Sequence, residues 1–171
     1  IYCEVDPITG LIDLDKITVP IRYIAAVLYV NLLGNIIDYD KLVVYTSFFT
    51  ERSIPIIEDA AQSLGGYYNG IPSGKLGDIS ILSFDPTKNL ANYGNGGAVV
   101  TDNINLLEYA RAWRNNGKPN SYIAGTNSRM SEIDCAQMMV KTRYIDQWQT
   151  RRRDIAAYWM ERLKRPGLRC L

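Results

Sequence analysis

Three segments decide the fold, and they read IPIIEDAAQ (residues 54–62), SFDPTKNL (residues 83–90) and NYGNGGAVVT (residues 92–101). The first is a short apolar strand whose end leaves Asp59 and Gln62 at the mouth of a sheet. The second is an irregular loop that carries Ser83 and Lys88 between two apolar strands. We therefore expect a carboxylate, an amide, a hydroxyl and a lysine to gather at neighbouring strand ends.

The residues before this stretch predict a parallel sheet. Residues 22–30 are a nearly unbroken apolar run, which is typical of a strand buried on both faces. The spacing predicts a helix over residues 38–50, and the strand at residues 54–57 follows. Strand, helix and strand in this order indicate a parallel pair with a right-handed crossover. Ligands bind beyond the carboxyl ends of such strands, where Asn31 and Asp59 lie.

The remaining elements follow from local patterns. Residues 1–6 alternate like a strand, and the glycine-rich residues 60–78 predict an irregular segment that lies on the surface apart from its first turn. Further elements are a hairpin-like strand pair at 79–84 and 98–101, and amphipathic helices at 104–116 and 145–163. In the last helix, the run Arg151–Arg153 is interpreted as a solvated face.

Length and charge narrow the class of protein. The chain has 171 residues, of which 47% are hydrophobic, and a net charge of +1. This length supports one domain with a real core. The small net charge argues against nucleic acid or an anionic membrane as the main partner, and no apolar run approaches the roughly 20 residues of a membrane span. Because the chain begins at Ile1 and stops just after a helix, we expect a fragment of a longer protein.

Histidine is absent, and its absence limits the possible chemistry. Ser-His and Cys-His nucleophile pairs, imidazole metal sites and the usual proton shuttle at neutral pH are excluded. An enzyme of this composition would use lysine, carboxylate, tyrosine or a bound cofactor. The three cysteines are widely spaced and odd in number, which favours reduced thiols and a cytoplasmic location.

The residue types at the strand ends suit an aldehyde cofactor that carries a phosphate. Asp59 closes a buried strand, and a protonated pyridine nitrogen would offset the cost of desolvating it; the alternative is a helix N-cap. Lys88 in a partly dry pocket would attack a carbonyl, although a lone loop lysine is usually solvated. Ser83 could bind the phosphate or be an ordinary turn serine.

Several segments, taken in order, resemble a single family. They are IEDAAQSLGG (57–66), GDISILSFDPTKNL (77–90), GNGGAVVTD (94–102), RNNG (114–117), TNSRMSEIDCAQ (126–137) and RRRDIAAYWMERL (151–163). The combination resembles the DegT/DnrJ/EryC1/StrS family, the pyridoxal-phosphate aminotransferases that act on nucleotide-linked keto-sugars. The resemblance implies an α/β fold. Residues 1–171 would form part of a fold-type I large domain, with a three-layer, mainly parallel sheet.

The resemblance also assigns roles to residues of this chain. It implies that Lys88 carries the cofactor as an internal aldimine and that Asp59 pairs with the pyridinium nitrogen. Gln62 would bind the phenolic oxygen, and Ser83 the phosphate. The family's homodimers share their active sites, so either Asn127 or Arg129 would reach the partner's phosphate.

The implied activity is transfer of an amino group, usually from glutamate, to a nucleotide-linked keto-deoxysugar. A dehydrating branch of the family carries histidine where this chain has Lys88, so lysine indicates transamination. The N-terminal phosphate loop and the smaller C-terminal domain of the family have no counterpart in the chain. Two alternatives are a non-catalytic dimerisation module and a transaminase that acts on an aminocyclitol or aminobenzoate precursor.

Overall fold

The computed structural model describes residues 1–47, 54–119, 122 and 124–164. The α-helices span Tyr39–Ser47 (α1), Ile104–Arg114 (α2), Glu132–Lys141 (α3) and Ile145–Arg162 (α4). The β-strands span Val27–Val30 (β1), Ile56–Asp59 (β2), Tyr67–Tyr68 (β3), Ile71–Pro72 (β4), Ile79–Ser83 (β5) and Gly97–Val100 (β6). Short 3-10 turns occupy Leu14–Lys16, Ile21–Tyr23, Leu32–Gly34 and Thr142–Tyr144.

The main sheet has the strand order β1-β2-β5-β6. Strands β1, β2 and β5 are parallel, and β6 runs antiparallel to β5. The parallel register pairs Val30 with Asp59, and Asp59 with Ile81. The predicted mainly parallel sheet and the hairpin-like pair β5–β6 are therefore confirmed.

One face of this sheet carries the main apolar core. The core cluster contains Leu11, Val27, Tyr29, Ile37, Leu42, Ile54 and Ile56. Strand β1 alternates between this face and an open one, where Leu28 is 56% exposed. On β5, Ile81 is 41% exposed. The prediction that the apolar run before Asn31 is buried on both faces is therefore wrong, because side chains of a strand alternate between faces and the described residues leave Leu28 and Val30 exposed on the second face.

The N-terminal prediction is also wrong. Residues 1–6 form no strand, and Val5 makes a single isolated bridge to Ile12. A turn intervenes, in which the Asp6 Oδ1 atom accepts the N–H groups of Ile8 and Thr9, both at 2.8 Å. Such local side-chain contacts favour a turn over an extended ladder.

Residues 60–78 are less exposed than the sequence predicts. They contain the small hairpin β3–β4, but Ser63, Ser73 and Leu76 are buried. These residues wrap around the side chain of Glu58, which leaves β2 on its core face. The segment is thus part of the interior at the end of β2.

Candidate active site

The ends of β2 and β5 bring two predicted site residues to the same edge of the sheet. Asp59 is the last residue of β2, and Ser83 is the last residue of β5. The register places Asp59 beside Ile81, so Ser83 lies two positions further along its strand. Because alternate residues share a face, Asp59 and Ser83 lie on the same side of the sheet.

The turn after β2 carries Gln62. Asp59 Oδ1 accepts the N–H of Ala61 at 3.0 Å. Residues 61–65 form a turn, so the alternative interpretation of Asp59 as the N-cap of a helix is wrong. Gln62 Oε1 accepts the N–H of Leu33 at 2.8 Å. This contact ties the turn to the segment after β1 and leaves the Gln62 Nε2 atom without a hydrogen bond in the described part of the chain.

The loop after β5 is a compact turn that presents Lys88. Asp85 Oδ1 accepts the N–H of Thr87 at 2.9 Å and also its hydroxyl, while the Lys88 N–H donates to Asp85 O at 2.9 Å. The two hydrogen bonds from Thr87 lower the pKa of the Asp85 carboxyl, and the nearby Lys88 charge adds to this effect. The turn therefore fixes the backbone from which the Lys88 side chain extends.

These two loops enclose a cavity of about 320 Å³. Its lining residues are Leu33, Ala61, Gln62, Leu64, Ser83, Thr87, Lys88 and Asn89. Lys88 is half-buried, and its Nζ atom makes no hydrogen bond or ion pair with any residue that the structure describes. Asp59 is half-buried and stands two residues before Ala61 without lining the cavity itself. The structure thus brings Gln62, Ser83 and Lys88 together as the sequence predicts, with Asp59 next to them.

Asn127 and Arg129 lie elsewhere in the protomer. Asn127 forms an isolated antiparallel bridge with Asn115. Arg129 lines a second cavity of about 240 Å³ at the C-terminal end of α2, together with Arg114 and Lys118. Both Asn127 and Arg129 are exposed. Their role across a dimer interface stays a prediction.

Glu58 is the carboxylate with the most hydrogen bonds in this region, and the sequence analysis assigned it no function. Glu58 is fully buried, and its oxygens accept hydrogen bonds from two backbone N–H groups and three side chains. These donors are Gly74 N at 2.9 Å, Leu76 N at 3.0 Å, Asn31 Nδ2 at 2.9 Å, Ser73 Oγ at 2.8 Å and Ser80 Oγ at 2.8 Å. We call Glu58, Asn31, Ser63, Ser73 and Ser80 the Glu58 cluster; Ser63 joins it through its hydroxyl contact with Ser73 at 2.5 Å. The alternation of side chains along β2, which turns Glu58 and Asp59 to opposite faces, is the signal that could have identified it.

Asn31 belongs to this cluster and not to the cavity. It is fully buried, its Oδ1 atom accepts the N–H of Ile37 at 3.2 Å, and its own N–H donates to Asp59 O at 3.0 Å. Nearby, burial raises the pKa of the Tyr29 hydroxyl, and the Glu58 charge raises it further. The core face of the sheet thus holds a compact polar network. It lies next to Asp59 and to the turn that carries Gln62.

Neither a membrane-spanning helix nor a metal-binding cluster is found among the described residues. None of their helices combines the length and the apolar character that crossing a bilayer requires. Nor do three or more cysteine, aspartate or glutamate side chains among them come together as a set that could hold a metal ion.

Comparison with known proteins places this geometry in context. The model of the DegT/DnrJ/EryC1/StrS aminotransferase family matches residues 1–169. The chain is 37% identical, over 141 residues, to the dTDP-3-amino-3,4,6-trideoxy-alpha-D-glucose transaminase of Streptomyces venezuelae, covering 81% of this chain and 36% of that protein. The chain spans less than half the length of the curated relatives it matches.

Two solved structures share the fold. The structure of S. venezuelae DesV in complex with a ketimine intermediate superposes with a TM-score of 0.85 at 33% identity, covering 99% of this chain and 45% of that one. The structure of NtdA from Bacillus subtilis, with the bound cofactor PMP, gives a TM-score of 0.72 at 31% identity. That match covers 85% of this chain and 33% of NtdA.

Proposed function

The chain belongs to the DegT/DnrJ/EryC1/StrS aminotransferase family, and we propose that the cavity beside Lys88 is the pyridoxal-phosphate site of a sugar transaminase. Enzymes of this family depend on pyridoxal phosphate. The observation that carries the proposal is the Lys88 amine, which lines a cavity with Gln62 and Ser83 and has no partner among the described residues. An amine in this state is available to react with an aldehyde.

The donors and acceptors around the cavity fit the chemical groups of this cofactor. Pyridoxal phosphate carries an aldehyde, a phosphate, a phenolic oxygen and a pyridine nitrogen. Near the cavity are an amine on Lys88, a hydroxyl on Ser83, a free amide N–H on Gln62 and a carboxylate on Asp59. The volume of about 320 Å³ lies at the lower end of the ligand-pocket range, roughly 300–1,000 Å³.

Each residue then has a defined task. When bound, the cofactor supplies the carbonyl that takes up and releases the amino group, and a ring that withdraws electrons. Lys88 Nζ holds the cofactor covalently and, when free, carries the proton at the reacting carbon. The Asp59 carboxylate keeps the pyridine nitrogen protonated. Gln62 Nε2 donates to the phenolic oxygen, and Ser83 Oγ donates to the phosphate.

The substrate and assembly are further parts of the proposal. The name of the S. venezuelae transaminase supports a nucleotide-linked keto-deoxysugar as the amino acceptor, and glutamate is the proposed donor. We place residues 1–171 in the large, cofactor-binding domain of a cytoplasmic homodimer. In this homodimer, Asn127 or Arg129 contacts the phosphate bound by the partner. Both residues are exposed, and neither lines the cavity beside Lys88, which is consistent with this role.

Cofactor absorbance tests the proposal. We expect the full-length protein to develop the visible imine band with pyridoxal phosphate, and Lys88→Ala to lose it completely. Lys75→Ala is the matched control, because Lys75 is exposed and makes no side-chain contact within the described chain. Absence of the band in the wild type would instead favour the dimerisation module. Amine transfer to a panel of nucleotide keto-sugars, an aminocyclitol precursor and an aminobenzoate precursor then identifies the acceptor.

A further inference from the structure

Helix α4 contacts the two loops of the cavity through its polar side chains. Arg151, Arg152 and Arg153 are all exposed, as the sequence predicts for a solvated face, but two of them also donate hydrogen bonds to the loops. Three side chains of α4 donate hydrogen bonds to backbone carbonyl oxygens outside the helix. The pairs are Gln149 Nε2 to Leu64 O at 2.7 Å, Arg153 to Gly65 O at 2.7 Å and Arg152 to Asn89 O at 3.2 Å.

The accepting carbonyls belong to the segments that form the cavity. Leu64 and Asn89 both line it. Leu64 lies two residues after Gln62, and Asn89 directly follows Lys88. Asn89 Nδ2 also donates to Leu64 O at 3.2 Å, which joins the two loops directly. One face of α4 thus contacts both loops at the point where they meet.

The backbone of the first loop is shaped for this approach. Gly65 has a φ of +87°, and a Cβ at this position would lie 2.5 Å from Gln149 Nε2. Glycine therefore allows the helix to come close enough for both Gln149 and Arg153 to reach carbonyl groups. Hydrogen bonds from a guanidinium are stronger than those between neutral groups, so the two arginines add most to the restraint.

We propose that Gln149, Arg152 and Arg153 are positioning residues that hold the Gln62 turn and the Lys88 loop at a fixed separation. Their effect on cofactor binding rests on the function proposed above. By fixing both loops, α4 sets the direction from which the Lys88 amine meets a bound aldehyde. The three residues touch neither substrate nor cofactor in this account.

The test combines one measurement without cofactor and one with it. Gln149→Ala/Arg152→Ala/Arg153→Ala is compared with Arg151→Ala in the full-length protein. Arg151 lies on the same helix, is exposed, and its side chain makes no hydrogen bond or ion pair with other described residues, so it is the matched control. Amide hydrogen exchange of residues 61–66 and 87–90 reports the loops directly. The dissociation constant of pyridoxal phosphate and the pH profile of the imine band report the position of Lys88.

We expect the triple variant to exchange these amides at least about tenfold faster and to bind pyridoxal phosphate about tenfold more weakly, with a shifted pH profile. Arg151→Ala should match the wild type. Arg153→Ala alone should show a smaller change in the same direction, which Arg153→Lys partly restores, and this single variant serves if the triple variant fails to fold.

Unchanged exchange overturns the proposal. Faster exchange with an unchanged dissociation constant and pH profile overturns the positioning role. A wild-type protein without an imine band overturns the proposed function instead, and the exchange data then still decide whether α4 restrains the loops.

Discussion

The Glu58 cluster and the candidate active site contain adjacent residues of β2, Glu58 and Asp59, yet the polar groups of the two regions are satisfied very differently. The buried Glu58 carboxylate receives hydrogen bonds from five groups. On the other face of the strand, Asp59 accepts one backbone N–H, and Lys88 Nζ has no partner in the described residues. A closed set of contacts stabilises the fold, whereas an open set is available to a ligand. The number of hydrogen bonds therefore distinguishes Glu58, a structural carboxylate, from the candidate active site, although Glu58 and Asp59 are neighbours in the chain.

The largest loss of stability should come from removing the carboxylate at the centre of the Glu58 cluster. Glu58→Ala removes the carboxylate that accepts from five buried donors, of which only Asn31 Nδ2 and Ser73 Oγ have another contact, and we expect the free energy of unfolding to fall by roughly 4 kcal/mol. Chemical denaturation, with the slope against denaturant checked for two-state behaviour, measures the change. Glu58→Gln keeps the shape and one good acceptor oxygen, so it should lose clearly less.

Lys88→Ala is the corresponding substitution in the cavity, where the polar groups make few hydrogen bonds. The Lys88 side chain makes no hydrogen bond or ion pair in the described chain, so its removal should change the free energy of unfolding of the cofactor-free protein by no more than about 0.5 kcal/mol. If Lys88→Ala destabilises the protein as much as Glu58→Ala does, the distinction between the two regions is wrong.

A loss of stability smaller than that of Glu58→Ala is expected where the backbone passes beside Glu58. A Cβ at Gly77 would lie 2.8 Å from Ile79 O and 2.9 Å from both Glu58 N and Ile56 O. Gly77→Ala must therefore shift β2 against β5, and we expect a loss of about 2 kcal/mol. Gly94→Ala is the control, since no atom lies within 4 Å of its added Cβ. Equal melting temperatures for the two variants would show that this close approach is not under constraint.

The smallest effect concerns the loop that carries Lys88, and it depends on pH. Hydrogen bonds from Thr87 lower the pKa of Asp85 below its ordinary value of 3.8. The contribution of Asp85 to stability is therefore present above pH 3.8 and is lost as the pH falls through the lowered pKa. Asp85→Asn should flatten the dependence of unfolding free energy on pH in this acidic range. Near neutrality the slope of unfolding free energy against pH should be the same as in the wild type. An identical acid dependence in the variant would contradict the assignment.

Much of the fold was predictable because it depends on local patterns and chain order. The apolar segments before Asn31 and Asp59, with a helix between them, led to the correct parallel pair. Of the site, Gln62, Ser83 and Lys88 were predicted and lie around one cavity, because strand ends at one edge of a sheet meet in space.

The errors came from contacts between distant residues. The burial of Ser73 and Leu76 depends on Glu58, which lies 15 and 18 positions earlier. Arg153 is exposed as predicted, but its hydrogen bond to Gly65 O spans 88 positions, and a helical pattern does not contain that contact. The open face of β1 and β5 depends on which layers pack against the sheet, and an apolar run does not contain that information.

The most direct test of the account is the chemical identification of the lysine that binds the cofactor. The full-length protein is incubated with pyridoxal phosphate, the imine is reduced with borohydride, and the modified peptide is located by mass spectrometry. The account predicts that the reduced cofactor is attached to Lys88. Attachment to Lys75 or Lys141 with Lys88 unmodified, or no attachment at all, would contradict it.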